Sequence, residues 1–476
     1  MSLLRDFLIQ VETRPHAPCL REGERDLNYG QAARRAGGIA RALKGLHLDP
    51  GSPVALELSR GLDAACAVLG ILAAGHPYLP LDMKAPPARR HWIVQDARAV
   101  AVIGRKEEGA TDRPWLDMDT IESADLPAVD LNPEILAAIL YTSGSTGTPK
   151  GVALSQRAIH AFSDWARQLL NLSPSDRIAA IAPLHFDLST FDLFSTLAAG
   201  ACLDFLPDGL TAAPSRLTGW LADRRISGFY TVPSLLNFWI WKGNLAAAPP
   251  PALRFLLFAG EVFPTPRLRR MTELLAEVDC YNLYGPTETN VCCHWRVRRE
   301  RLADDHPIPI GRPACGDELR LDHASGELQV RGPTLLSGYW REGRLHSALT
   351  ADGWYATGDR AEQNRDGDYV WLGRLDRMLK VAGHRVEPAE IETVLSNLPG
   401  VAECAVVGID DPDGTRPAAA LVLAPDASLA AIRHALREKF PPYMLPGRFL
   451  TLPALPRLSN GKPDLMVIQQ SFHRKT

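Results

Sequence analysis

The chain has 476 residues, too many for one hydrophobic core, so more than one domain is expected. With 46% hydrophobic and 22% charged residues, it is neither a disordered nor a fibrous chain. The net charge of −3 and the lack of a long basic run speak against nucleic acid as a partner. No apolar run reaches the ~18 residues of a membrane span, and the charges inside MSLLRDFLIQVETRP do not suit a secretion signal. The expected compartment is the cytoplasm, with no membrane partner.

The first three hundred residues alternate apolar strands with amphipathic helices. YGQAARRAGGIARALKGL spaces Ala32, Ala36, Ile39, Ala40 and Leu43 on one helical face. PVALEL reads as a strand and LDAACAVLGILAAG as a helix, and AVAVIG, RIAAIA, GFYTV and LRFLLFAG read as buried strands. Such alternation predicts α/β layers around largely parallel sheets. From about residue 305 short strands with turn signals follow, GELQVRG, GWYATGD and GDYVWLGR, and predict a smaller β-rich subdomain. A last block of about one hundred residues carries its own strand and helix patterns, the size of a compact α+β domain. The cysteines at 19, 66, 202, 280, 292, 293, 315 and 404 form no CxxC pair and read as reduced core or pocket residues.

Within this frame, ILYTSGSTGTPKG at 139–151 packs glycines, hydroxyls and one lysine between apolar segments. Glycines let backbone N–H groups approach an anion, and hydroxyls add donors, so a phosphate site is the natural reading. Ser155 is a candidate N-cap for the following helix, whose positive end would help just downstream. The spacing is not that of a P-loop, because Lys150 sits between Pro149 and Gly151 rather than at a helix start.

Four further stretches follow in order: YNLYGPTET at 281–289, YATGD at 355–359, GRLDRMLKVAGHRVE at 373–387 and LPRLSNGKPD at 455–464. Together with the glycine-rich loop they resemble the adenylate-forming superfamily of nonribosomal peptide synthetase adenylation domains, acyl-CoA synthetases and luciferases. The resemblance spans nearly the whole chain. It implies a large N-terminal core, 1–375, of layered α/β subdomains plus the β-rich one, carrying the ATP and acid pockets. A small mobile α+β domain, 376–476, would pivot at Asp376.

The resemblance also implies roles. Thr142, Ser143, Gly144, Ser145, Thr146, Gly147 and Lys150 would hold the ATP phosphates, and Glu288 would hold Mg²⁺, a hard cation suited to carboxylate oxygen. Gly260, Glu261, Asn282, Tyr284, Gly285 and Thr287 would border the nucleotide, with Asn282 on the adenine amino group. Asp359 and Arg374 would hold the ribose. Lys462 would touch the substrate carboxylate and the bridging oxygen of the forming acyl adenylate, where shared negative charge makes a cation most effective. Gly383, His384 and Arg385 would border a thiol tunnel in the second pose of the small domain.

The acid is read from LHFDLSTFDLF at 184–194, where Asp187 lies in an apolar run. A buried carboxylate is costly unless paired. It is either a helix cap, with Ser189 and Thr190 nearby, or the counter-ion of an ammonium, as in the amino-acid-activating members of the family. Motif matching places Leu188, Phe191, Tyr230, Leu257, Ala259, Leu283, Val291 and Cys292 around it. That set, with Asp187 and Lys462 for the two charges, resembles enzymes that activate L-proline and load it onto the phosphopantetheine of a separate peptidyl carrier protein. D-alanine or another small apolar amino acid is the alternative. An acyl-CoA synthetase is disfavoured by Asp187, and a non-catalytic ATP binder by the presence of Glu288, Asp359 and Lys462. No carrier-type segment follows Pro463, so the acceptor thiol is expected on another molecule.

Overall fold

In a computed structural model of the chain, the described residues are all except 1–2, 106–112, 128, 130–131, 145–147, 305, 412–413, 426, 458–462 and 474–476. Two large sheets dominate. One has eight strands, in which Val54–Glu57, Tyr78–Pro80, Ala101–Gly104, Trp115–Asp117 and Leu136–Thr142 run parallel. Lys150–Ser155 and Gly338–Arg341 then join it antiparallel. The other has nine strands around a parallel centre that includes Arg177–Ala180, Gly228–Thr231, Phe255–Phe258 and Asp279–Tyr284. These central strands are buried on both faces, as their near-continuous apolar sequences require.

The expected helices form where the pattern places them, including Tyr29–Gly45 and Leu62–Ala73. Asn28 caps the first through a reciprocal pair with Gln31. A four-stranded antiparallel sheet, Glu318–Leu321, Glu327–Arg331, Tyr355–Gln363 and Tyr369–Arg374, forms the β-rich part. Beyond it come a hairpin, Leu379–Val381 and His384–Val386, and a three-stranded sheet, Val401–Asp411, Gly414–Leu423 and Arg448–Thr451. The helices Pro388–Ser396 and Leu429–Lys439 cover that sheet over a separate buried cluster containing Ile391, Val406, Leu421 and Leu436.

All eight cysteines are free thiols, and all but Cys404 are buried. Among the described residues no helix is long and apolar enough to cross a membrane.

Candidate active site

The glycine-rich loop does not run into a helix. It joins two antiparallel strands, with Thr142 opposite Lys150 at the loop end and Leu136 opposite Ser155 at the other. Ser155 does cap the helix Gln156–Leu169, accepting from the Ala158 N–H at 3.2 Å. Its six-residue strand, however, carries that helix end roughly 20 Å from the loop at ~3.3 Å per residue. The expected helix dipole is therefore not part of the loop's anion site, and backbone donors, hydroxyls and Lys150 must serve instead. Ser145, Thr146 and Gly147 lie outside the described residues. Gly151 is demanded by packing, since a Cβ there would sit 2.7 Å from Ile139 Cγ2.

Lys150 reaches Glu288, Nζ to Oε1 at 3.3 Å, and lies 4.0 Å over the Tyr339 ring. Glu288 is fully buried, accepts from Tyr339 Oη at 2.9 Å, and pairs with Arg385 Nη1 at 2.5 Å. Burial alone would raise its pKa, but the adjacent Arg385 and Lys150 hold the carboxyl at about 2, so it is ionised. Beside it, Thr142 Oγ1 is buried with no hydrogen bond among the described residues.

Asp359, at the strand Tyr355–Gln363, accepts from Tyr284 Oη at 2.6 Å, Trp371 Nε1 at 2.8 Å and Arg374 Nη1 at 3.2 Å. The same guanidinium donates to Asp376, Nε to Oδ1 at 2.8 Å. Asp359, Arg374 and Asp376 thus form one chain of charges. Asn282 donates to the Pro309 carbonyl at 2.8 Å, which fixes the amide and leaves its oxygen as an acceptor. Gly285 cannot be replaced cheaply, because its Cβ would lie 2.2 Å from the Asn290 carbonyl oxygen.

The residues that motif matching assigns to the acid lie together in the apolar interior. Leu188, Phe191, Tyr230, Leu257, Ala259, Leu283, Val291 and Cys292 are all buried and belong to one apolar cluster. Phe191 and Tyr230 meet edge to face at 6.0 Å. The turn around Asp187 leads into a π-helix, Phe191–Ser195, the kind of bulge that re-aims side chains. Burial pushes Asp187 up to about 6, opposed by the Thr287 hydroxyl and the Leu188 N–H. Among the described residues Asp187 forms no salt bridge, so a charge-bearing group stands in an apolar pocket without a counter-ion. It is not a side-chain cap of the helix that follows: its backbone carbonyl, not its carboxylate, receives the Thr190 N–H at 2.9 Å and the Thr190 hydroxyl at 2.7 Å.

The hairpin 379–386 inserts between these parts. Gly383 N donates to Glu261 Oε1 at 3.0 Å, and Ser143 Oγ donates to the Arg385 carbonyl at 2.6 Å. Glu261 Oε2 also accepts from Ser234 N at 2.8 Å, so its carboxylate ties a helix start to the hairpin. Gly383 has φ +81° and a Cβ would meet Val232 Cγ1 at 2.4 Å; Gly260, at φ +89°, packs against it. His384 stacks on Tyr443 at 3.7 Å and on Phe186 at 5.3 Å. Burial, with His185 nearby, lowers its pKa to about 3. Lys462 lies outside the described residues. Sequence reasoning missed Tyr339, Trp371 and Asp82, which reach the site only through the fold, and gave no role to His185 although it lies within LHFDLSTFDLF.

Two family models match the chain: "AMP-binding enzyme" over 7–340 and "AMP-binding enzyme C-terminal domain" over 390–462. An L-proline--[L-prolyl-carrier protein] ligase of Streptomyces coelicolor is 36% identical, covering 98% of this chain and 95% of its own. One of the same name from Pseudomonas fluorescens is 35% identical over 98% of both chains. Among solved structures, an amide bond synthetase from Marinactinospora thermotolerans superimposes with a TM-score of 0.88 at 25% identity, over 99% of this chain and 100% of that one. The resemblance drawn from the five motifs therefore holds, in sequence along the whole length and in fold, and the chain belongs to the AMP-binding enzyme family.

Proposed function

We propose that this chain is an ATP-dependent ligase that activates L-proline as prolyl adenylate, releasing pyrophosphate, and passes the prolyl group to the phosphopantetheine thiol of a separate carrier protein. The observation that carries the reading is Asp187: a buried carboxylate without a counter-ion among the described residues, beside apolar side chains and two aromatic rings. The secondary ammonium of proline offers two N–H donors to it, and the ring is a compact apolar body without polar atoms. Both full-length relatives carry names that agree with this substrate and acceptor.

The remaining residues divide the work. The loop 142–150 holds the phosphates, Asn282 the adenine, and Asp359 with Arg374 the ribose. Lys462 sits at the reacting oxygens during adenylation, and the hairpin with Gly383, His384 and Arg385 lines the thiol's approach afterwards. The donors fit Mg²⁺: a buried carboxylate kept ionised and the orphaned Thr142 hydroxyl are both hard oxygens, and this ion needs few protein ligands when phosphates supply the rest. Glu288 would hold it, and the ion would supply neutralisation of phosphate charge.

The test is ATP–pyrophosphate exchange across single amino acids, followed by loading of a phosphopantetheinylated carrier. L-proline should exceed alanine by roughly 15-fold in kcat/KM, from about two methylenes at ~0.8 kcal/mol each. A higher kcat/KM for D-alanine, or for an acid lacking an amine, would refute the assignment.

A further inference from the structure

Beside the phosphate loop lies an inner cavity of about 60 Å³, lined by Asp82, Thr142, His185, Thr287, Arg385 and Tyr443 among others. Two of these groups are placed but unused. His185 Nε2 and Asp82 Oδ2 are both buried, and neither makes a hydrogen bond among the described residues. They face each other at 3.9 Å. Asp82 is held in place by the Lys84 N–H on its other oxygen, at 2.9 Å. His185 precedes the turn residue Asp187, so the imidazole lies close in sequence and space to the group that would hold the amino end of the substrate. Outward, the inner cavity shares Ala85 with a crevice of about 900 Å³ between residues 83–90 and the 437–445 stretch of the small domain.

We infer that His185, oriented by Asp82, is the general base that takes the proton from the incoming thiol during acyl transfer. This rests on the proposed reading of the site as a thioester-forming ligase. In this role Nε2 carries the hydrogen toward Asp82, 3.9 Å away, and Nδ1 accepts the proton. The thiol proton moves to Nδ1 as the sulfur–carbonyl bond forms. The carbonyl–oxygen bond to the phosphate then breaks, and AMP leaves with that electron pair. The imidazolium is stabilised by Asp82 until the proton passes to solvent.

The other titratable groups around the ring are Lys84, His384 and Tyr443. Desolvation, with Lys84 nearby, holds His185 below the ordinary imidazole range and Asp82 pulls the other way, so the ring is neutral and ready to accept at neutral pH. His384 is the wrong candidate, because it is stacked on both Tyr443 and Phe186 and is a far weaker base.

The experiment is single-turnover transfer from enzyme-bound prolyl adenylate to a holo carrier protein, between pH 5 and 9.5, for wild type and His185→Gln. The variant should transfer about 10²-fold more slowly at pH 7, the scale of losing a positioned base. Above pH 7 its deficit should shrink about tenfold per pH unit as free thiolate takes over, while the wild type stays flat there and falls only on its acid limb. Pyrophosphate exchange should stay within about threefold, since proton removal from the thiol plays no part in adenylation. Asp82→Asn provides a second reading that spares the ring. Removing the anion lowers the imidazole pKa, so the acid limb of transfer should move to lower pH with a loss of about tenfold. Wild-type transfer by His185→Gln at pH 7, a deficit constant across pH, or an unmoved limb in Asp82→Asn would overturn the assignment while leaving the ligase reading intact. A wild-type enzyme that makes adenylate but acylates no thiol would overturn both.

Discussion

Arg385 of the small domain closes an ion pair on Glu288 of the large one, Nη1 to Oε2 at 2.5 Å, at the carboxylate proposed to hold the metal. Guanidinium and metal ion cannot share that oxygen, so the hairpin's seat and the metal's seat exclude one another. Breaking a buried pair by removing one partner costs about 3–5 kcal/mol. Arg385→Ala should therefore melt earlier than wild type in chelator, and Mg²⁺ with ATP should close the gap. The pair's stabilisation has the sign of a depressed carboxylate: present above pH 4.5 and lost as pH falls through about 2. Equal melting of both proteins in chelator would show that the pair carries no weight.

Lys462→Ala should separate the two half-reactions. Adenylation should fall by roughly 10²–10³-fold, the scale of one lost oxyanion-type donor, because the cation acts where charge is shared. Transfer from preformed adenylate should change little. Equal damage to both steps, measured in separate single-turnover assays, removes Lys462 from the adenylation site.

Asp376→Pro should do the reverse. Proline fixes φ near −65° and also deletes the carboxylate that Arg374 and the Met378 N–H now engage. Pyrophosphate exchange should survive and carrier loading should collapse. Loading at the wild-type rate would mean that the pivot lies elsewhere.

Asp187→Asn should trade stability against substrate. A carboxyl whose folded pKa is raised, here from 3.8 to about 6, takes up a proton on folding. It costs stability above about pH 6, and that cost disappears below pH 3.8. Removing the charge should stabilise the free protein at pH 7 by roughly 3 kcal/mol at most, at 1.36 kcal/mol per pKa unit. The same change should weaken proline by on the order of 2–5 kcal/mol, since the ammonium would be buried unpaired. In the wild type, the KM for proline should climb as pH drops below about 6. A variant that melts earlier yet binds proline normally contradicts both halves.

Much of this was legible along the chain because it is local. Apolar runs such as LRFLLFAG become buried strands, Ser155 caps its helix, and Asp359 meets Arg374 because their strands are adjacent in one antiparallel ladder. The proposed pocket residues are spread over a hundred positions, and Tyr230, Leu257, Ala259 and Leu283 fall together because they sit in or just after neighbouring parallel strands. What stayed hidden depends on one domain meeting the other. Arg385 lies 97 residues from Glu288, and no periodicity marks that encounter. Gly-Val-Ala-Leu was legible as a strand, but not that its length carries the capped helix end away from the loop. Asp82 and His185, 103 positions apart, carry no shared signal along the chain until the fold brings them within 3.9 Å.

The burial of seven of the eight cysteines bears on how such an enzyme coexists with its own product. A mixed anhydride poised for attack by sulfur would acylate any accessible thiol on its maker, and each such event would waste one ATP. Only Cys404, beneath Ser396 on the small domain, is partly exposed. Cys292, in the proposed pocket wall, donates its thiol to the Tyr284 carbonyl at 3.5 Å, and outside that pocket the protein presents almost no accessible thiol to its reactive intermediate. In an alkylation or mass-shift assay, labelling that appears on mixing with a carrier can be credited to the carrier's arm.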